Sequence, residues 1–505
     1  MINRKKLHII IPVLLSILLI VAVVVLVITR DIRTENDYEY RERNDGTIRL
    51  IRYKGDDKKV KLPSEIDGKD VSYIECCLFD YGDDVTHVTI PATVTELDNG
   101  IFCQIMSLEH IDVSGDNEHF TSEDGVLFTK DMKTLVRYPI NKKDTSYTIP
   151  QSVTKIQSRA FLNSQNLTDV TIPIGVEVIE AEAFSGAVAL TDVTIPDSVT
   201  RIDEKAFQIC TSLESVTLPS SITTIEDSTF SGCHSLKSIV IPESVTYIGS
   251  AAFFSCIELE SITIPAGTLS VKCDAFLRCE KLSSIEVSET NEYYTSENGV
   301  LFNKDMTALV FYPAGKADTT YKVPDSVKSI FTGAFGGCNY LTEISLSDGI
   351  PDIKSGTFRS CQSLVRINIP DSVKRIDASA FAHCYKLCDI TLPEGITEIK
   401  YSTFMSCDSL ERINIPEGVT LIEDSAFSEC NKLTEVTIPE GVTEINNRAF
   451  SNCENLTKAV IPDSVTEIGD DVFSDCENLT IYCSEGSAAH IYAQLNNITF
   501  STSEN

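Results

Sequence analysis

Seventeen cysteines in a 505-residue chain are the first place to look for chemistry, and most of them share one register. Cys210, Cys233, Cys256, Cys279, Cys338, Cys361, Cys384, Cys407, Cys430, Cys453 and Cys476 each stand three residues after a phenylalanine. Neighbours stacked one rung apart would lie near the Cα separation a disulfide tolerates. The equivalent residues elsewhere are Ile105, Ser164 and Ala187, which favours a small buried filler with a weak donor over a redox centre. An odd total leaves at least one thiol unpaired in a monomer. Neither Cys76-Cys77 nor the column supplies the Cys-x-x-Cys pair that a zinc site commonly uses.

The other chemical candidates thin out quickly. His8, His87, His110, His119, His234, His383 and His490 are scattered, and no zinc-protease helix, nucleophile elbow, phosphate loop or dinucleotide fingerprint occurs. The reading is therefore no catalytic, metal or cofactor-binding residue, no cofactor, and not an enzyme. Lys plus Arg number 42 against 74 Asp plus Glu, a net charge of −32, which repels phosphate backbones and excludes a nucleic-acid ligand.

What positions these residues is repetition. Pro150, Pro173, Pro196, Pro219, Pro242 and Pro265 recur every 23 residues, as do Pro370, Pro393, Pro416, Pro439 and Pro462. Each follows a Leu-x-x-Ile-x-Ile core, and each period is one turn that cannot bury its apolar side alone. The predicted fold is a leucine-rich-repeat solenoid: β-rich, with parallel β strands and 23-residue turns. Proline, with no N–H for the ladder, ends each strand. Two turns run to 36 residues, 114–150 and 288–324, with near-identical contents: Phe120-Thr-Ser-Glu-Asp124-Gly125 against Tyr294-Thr-Ser-Glu-Asn298-Gly299. Asp-Gly and Asn-Gly favour type I′ turns, so each insert is predicted to be a hairpin extended into a small protruding meander.

The recurring Leu-x-x-Ile-Thr-Ile-Pro-x-Ser-Val-Thr-x-Ile-x-x-x-Ala-Phe-x-x-Cys, as in Leu190 through Cys210, resembles the BspA-type leucine-rich repeat family of surface proteins. The resemblance spans roughly 46 to 500 and implies surface attachment and binding of matrix, host or neighbouring-cell partners.

Where the copies disagree is where a partner would be read. Four residues before successive anchors stand Glu343, Arg366, Asp389, Arg412, Glu435 and Lys458, alternating in sign. One reading is a self-neutralising ladder, stabilising by about 0.2–1 kcal/mol per pair. The other is a binding face, with Asn368 and Asn414 adding amides two residues before their anchors. Tyr138 and Tyr312, with Phe311, are candidate exposed aromatics on the meanders, or else hairpin packing.

The ends complete the domain plan. Ile9 to Ile28 is apolar but for Pro12 and Ser16, about 20 positions, enough to span a ~30 Å hydrocarbon layer. Arg4, Lys5 and Lys6 precede it. By the positive-inside rule 1–8 is a cytoplasmic leader and 9–29 a transmembrane signal anchor, a cleaved signal peptide being the rival. Next come a stalk, 30–45, and an N-terminal β cap, 46–62. The solenoid covers 63–478, and 479–505 is a C-terminal cap and tail. The predicted whole is a single-pass plasma-membrane protein with its N-terminus cytoplasmic and its repeats extracellular. Adhesin-like, it would bind other proteins or surface glycans; the alternative is a structural envelope component that self-associates laterally.

Overall fold

The computed structural model describes residues 32–80 and 84–502. The chain divides into two compact units, 1–189 and 190–505. In both, a turn begins with a short strand whose central Val or Ile is buried between exposed polar neighbours, as in Asp169–Thr171 and Glu435–Thr437. Period-two alternation on a one-sided sheet dictates this. A second, two-residue strand follows the anchor proline and forms its own parallel ladder, as in Lys155–Ile156 with Val178–Ile179.

A third edge closes most of the regular turns. The residues two before and two after the spine phenylalanine hold positive φ, for example Ser402 and Ser406 around Phe404, and Arg448 and Asn452 around Phe450. This alternation aims three amides at the next turn: Ser402, Phe404 and Ser406 N–H donate to the carbonyls of Asp424, Ala426 and Ser428 at 3.0, 2.8 and 2.8 Å. The backbone groups that a loop would leave orphaned are thereby paired.

In the first unit the hairpin Arg33–Glu35 and Tyr38–Glu42 adds antiparallel to Ile48–Tyr53, which pairs in parallel with Lys69–Ile74. Residues 30–45 were expected to be a stalk. From residue 33 they are instead part of the capping sheet, because Tyr38 and Tyr40 alternate into its core and are buried. Lys59–Lys61, His87–Ile90 and His110–Val113 form the parallel ladder beneath.

The 36-residue inserts do not protrude. In the first, Phe120–Glu123 and Val126–Thr129 form the hairpin, and Thr134–Arg137 pairs both with that hairpin and with Lys155–Ile156 of the next turn. Its third strand thus takes the place of a regular second strand. Val126, Leu127, Phe128 and Leu135 are fully buried. The hairpin tip also docks as a rung, Gly125 O accepting from Ile111 N at 3.0 Å. The second insert repeats this within the second unit, with Gly299 O accepting from Ile285 N at 2.9 Å.

The second unit is built on a column of stacked rings. Phe207, Phe230, Phe253 and Phe276 stack at 5.6–5.7 Å between centroids. Phe358, Phe381, Phe404, Phe427, Phe450 and Phe473 continue at 5.1–5.5 Å. The helix Ala488–Leu495, N-capped by Ser487, covers the last turn. There the Phe473 N–H has no following turn to bond, and the hydroxyl of Tyr492 accepts from it at 3.3 Å.

The expected N-terminal transmembrane helix is corrected. Segment 9–29 lies outside the described residues, and no helix among the described residues is long and apolar enough to cross a membrane. The fold of the described residues is the parallel-strand solenoid, with no spanning helix among them, and single-pass plasma-membrane placement is not supported.

Candidate functional site

The sign-alternating column is real in space and lies within the second unit. Strands Glu343–Ser345, Arg366–Asn368 and Asp389–Ile390 pair in parallel, placing Glu343 opposite Arg366 and Arg366 opposite Asp389. Arg366 Nε lies 4.0 Å from both Glu343 Oε2 and Asp389 Oδ2. Arg412 Nε lies 3.7 Å from Glu435 Oε1, and Glu435 stands opposite Lys458 on the next strand. Lys458 turns aside, its ammonium 5.3 Å above the Tyr482 ring. Asn368 and Asn414 project beside this column and are exposed.

These pairs are long and wet. The side chains of Arg366 and Arg412 remain 57% and 78% exposed, so each contact contributes about 0–1 kcal/mol at most. Other inter-turn pairs in the unit are tighter. Lys237 reaches Glu214 at 2.7 Å and Lys281 reaches Glu258 at 2.6 Å, and hydrogen bonding to Glu214 raises the Lys237 ammonium above its usual value. The candidate column is therefore loosely paired, as is Arg448 with Asp471 at 3.8 Å.

Tyr138 and Tyr312 are not on this face. Each is 1% exposed, as is Phe311. The expectation of exposed aromatics is corrected because the insert's third strand delivers its tyrosine to the ring column: Tyr138 stacks on Phe161 at 5.1 Å and Tyr312 on Phe335 at 5.2 Å. Burial pushes both phenols well above their usual range. The Tyr312 hydroxyl donates to Asp318 at 3.0 Å. Sequence reasoning missed the place of Tyr482 beside Lys458, because the final turn is one residue short of the 23-residue period and ends in the cap.

The cysteine column is a packing device. All of its members are buried and unbridged. The thiols of Cys361, Cys384, Cys407, Cys430 and Cys453 each reach the carbonyl of the phenylalanine 26 residues earlier at 3.0–3.3 Å, one weak donor per turn. Burial raises the Cys407 thiol well above its ordinary value and pushes Cys430 up to about 12. Among the described residues no group of three or more His, Cys, Asp or Glu could hold a metal ion.

The family model described as BspA type leucine rich repeat region matches in six copies, at 58–129, 140–257, 210–311, 310–431, 351–480 and 397–502. A search of the curated proteins finds no match. Among solved structures, a leucine-rich repeat protein from Eubacterium ventriosum is 26% identical, covering 66% of this chain and 91% of its own, with a TM-score of 0.58. A leucine rich cell surface protein from Faecalibacterium prausnitzii is 28% identical over 94% of this chain and 98% of its own, with a TM-score of 0.41. The pneumococcal vaccine antigen PcpA is 20% identical over 94% and 99%, with a TM-score of 0.45. With the repeat model matching 58–129 and 140–502, and strands, ring column and cysteine column all recurring at its period, the chain belongs to the BspA-type leucine-rich repeat family.

Proposed function

We propose that this chain is an adhesin-like binding protein whose outward strand face from Glu343 to Lys458 docks a protein or glycan displayed on another surface. The observation that carries this reading is the looseness of that column. Glu343, Arg366 and Asp389 align on paired strands, as do Glu435 and Lys458, with Arg412 between them off any strand, and the pairs stand at 3.7–4.0 Å in solvent. They add little to stability, and a partner that desolvates them replaces weak pairs with stronger ones. Asn368 and Asn414 offer donors and acceptors beside them, and the strands carrying Glu343, Arg366 and Asp389 hold those three at ~4.8 Å spacing with little ordering cost. Membership of a repeat family of surface proteins fits the same reading.

The test uses purified full chain against a panel of extracellular-matrix proteins and a glycan array, with the double variant Arg366→Glu and Arg412→Glu. Binding by the wild type and its loss in the variant, with the circular dichroism spectrum unchanged, is the expected result. Equal binding by both, or binding by neither, refutes the assignment. Self-association without heterotypic binding would favour a lateral structural role instead.

A further inference from the structure

The cysteines outside the column are built differently, and two of them touch. Glu75 to Leu78 is a tight turn closed by Leu78 N–H donating to Glu75 O at 3.2 Å, which puts Cys76 and Cys77 at its two central positions. Their sulfurs are 3.3 Å apart. Cys77 is exposed and Cys76 partly so, whereas the column thiols are buried against phenylalanine carbonyls. Two neighbours hold the pair in place. Cys76 N–H donates to Asp98 Oδ2 at 3.1 Å, and Gln104 Nε2 donates to Cys77 Sγ at 3.3 Å.

We propose that Cys76 and Cys77 form a reversible dithiol–disulfide site that reacts with low-molecular-weight disulfides. In the first step the exposed Cys77 thiolate attacks one sulfur of the reagent, RSSR, forming Cys77–S–S–R and releasing RS⁻, which takes up a proton. In the second, Cys76 loses its proton and attacks the Cys77 sulfur, forming the Cys76–Cys77 bond and expelling the second RS⁻. Two protein thiols are oxidised and one reagent disulfide is reduced to two thiols.

The order follows from access. Burial and the adjoining Cys77 push the Cys76 thiol up to about 12, so Cys76 stays protonated during the first attack and acts only in the second step. Capping Cys77 removes the thiolate that contributes to that rise, and ring closure quickens with pH. Reversibility follows from chain geometry. Consecutive Cα atoms across a trans peptide lie ~3.8 Å apart, below the ~4.4–6.8 Å usual for a disulfide, so the ring is strained and easily reduced. Its position couples it to the cap: Leu78 O accepts from Tyr53 N at 2.6 Å, and Leu78 and Phe79 are core residues.

The full chain is incubated natively with glutathione disulfide, quenched in acid, alkylated with N-ethylmaleimide, digested and weighed. The expected peptide spanning 76–77 is two hydrogens lighter and unalkylated, and dithiothreitol restores both thiols; the column cysteines react only after denaturation. In C76S a glutathione adduct accumulates on Cys77. A lasting adduct on wild-type Cys77, a link from either residue to Cys103, two thiols still open to alkylation, or no adduct in C76S would each overturn the proposal.

Discussion

Replacing Gly125 by alanine tests whether the first insert is a docked rung. Gly125 holds φ +76, and an added Cβ would stand 2.8 Å from His110 Cε1 and 2.9 Å from its Cγ. The ring cannot simply swing away. It packs, tilted, against His87 at 5.5 Å between ring centroids and its Nε2 lies 3.1 Å from Asp112. Forcing alanine into the left-handed region costs about 1–2 kcal/mol, and the overlap adds about 1–3 kcal/mol. Gly46, at φ +85 with open space around it, isolates the backbone part, so G46A should cost only the first amount. The assay is amide hydrogen exchange at Ile111, whose N–H donates to Gly125 O. At tenfold per 1.4 kcal/mol, G125A should speed its exchange by roughly 30-fold or more. Adding H110A should recover the overlap part. In the second insert the same rescue should be partial: a Cβ on Gly299 meets not only Ser284 Oγ at 2.7 Å but its Cα at 3.0 Å, which S284A does not remove. Unchanged Ile111 exchange in G125A, or no recovery with H110A, would refute the docking.

Three further outcomes follow from the same geometry. Ile209 is a half-exposed β-branched residue at φ +59, so I209N should raise stability by about 1 kcal/mol in urea unfolding; equal or lower stability would sink the strain argument. Y492F removes the acceptor for the Phe473 N–H and should destabilise the last turn by about 1–3 kcal/mol, seen as faster exchange at that amide; unchanged exchange would contradict the capping role. Burial, then Glu429, raises the Asp408 carboxyl above its usual value. With the folded pKa raised, its contribution to stability is fully present below the unfolded value of about 3.9 and is lost as pH rises through the folded one. D408N should therefore raise Tm at pH 7, with the gain shrinking toward pH 4; a gain that grew on acidification would reverse the sign.

Much of the solenoid was legible because its information is local and repeated. Val and Ile between polar neighbours set the strand faces, and anchor prolines mark where pairing stops. The cysteines at Phe+3 read as fillers, and the carbonyls they bond explain why. The candidate column was legible as a pattern of signs, and the structure puts all but Arg412 on paired strands. Legibility failed where a residue's environment comes from another turn. Tyr138 looked like a meander aromatic, yet the neighbouring turn's Phe161 stacks on it. Tyr38 and Tyr40 looked like stalk residues until a strand at 48–53 paired with them. Arg137 occupies the insert position where the second copy has Phe311, and is buried with its guanidinium donating to the carbonyls of Arg159 and Leu162.

The sequence alone determined the period, the parallel-strand turn, the ring and cysteine columns and the family, because a 23-residue pattern repeated many times outweighs any single ambiguous residue. The tertiary structure decided which side chains face solvent, how the longer turns are absorbed, and which residues take positive φ to bond the next turn. Those properties depend on contacts between residues some 23 positions apart, where backbone amides must find partners and apolar faces must be covered. It also brought the sulfurs of Cys76 and Cys77 together at the centre of one turn, where adjacency in the chain did not by itself imply contact.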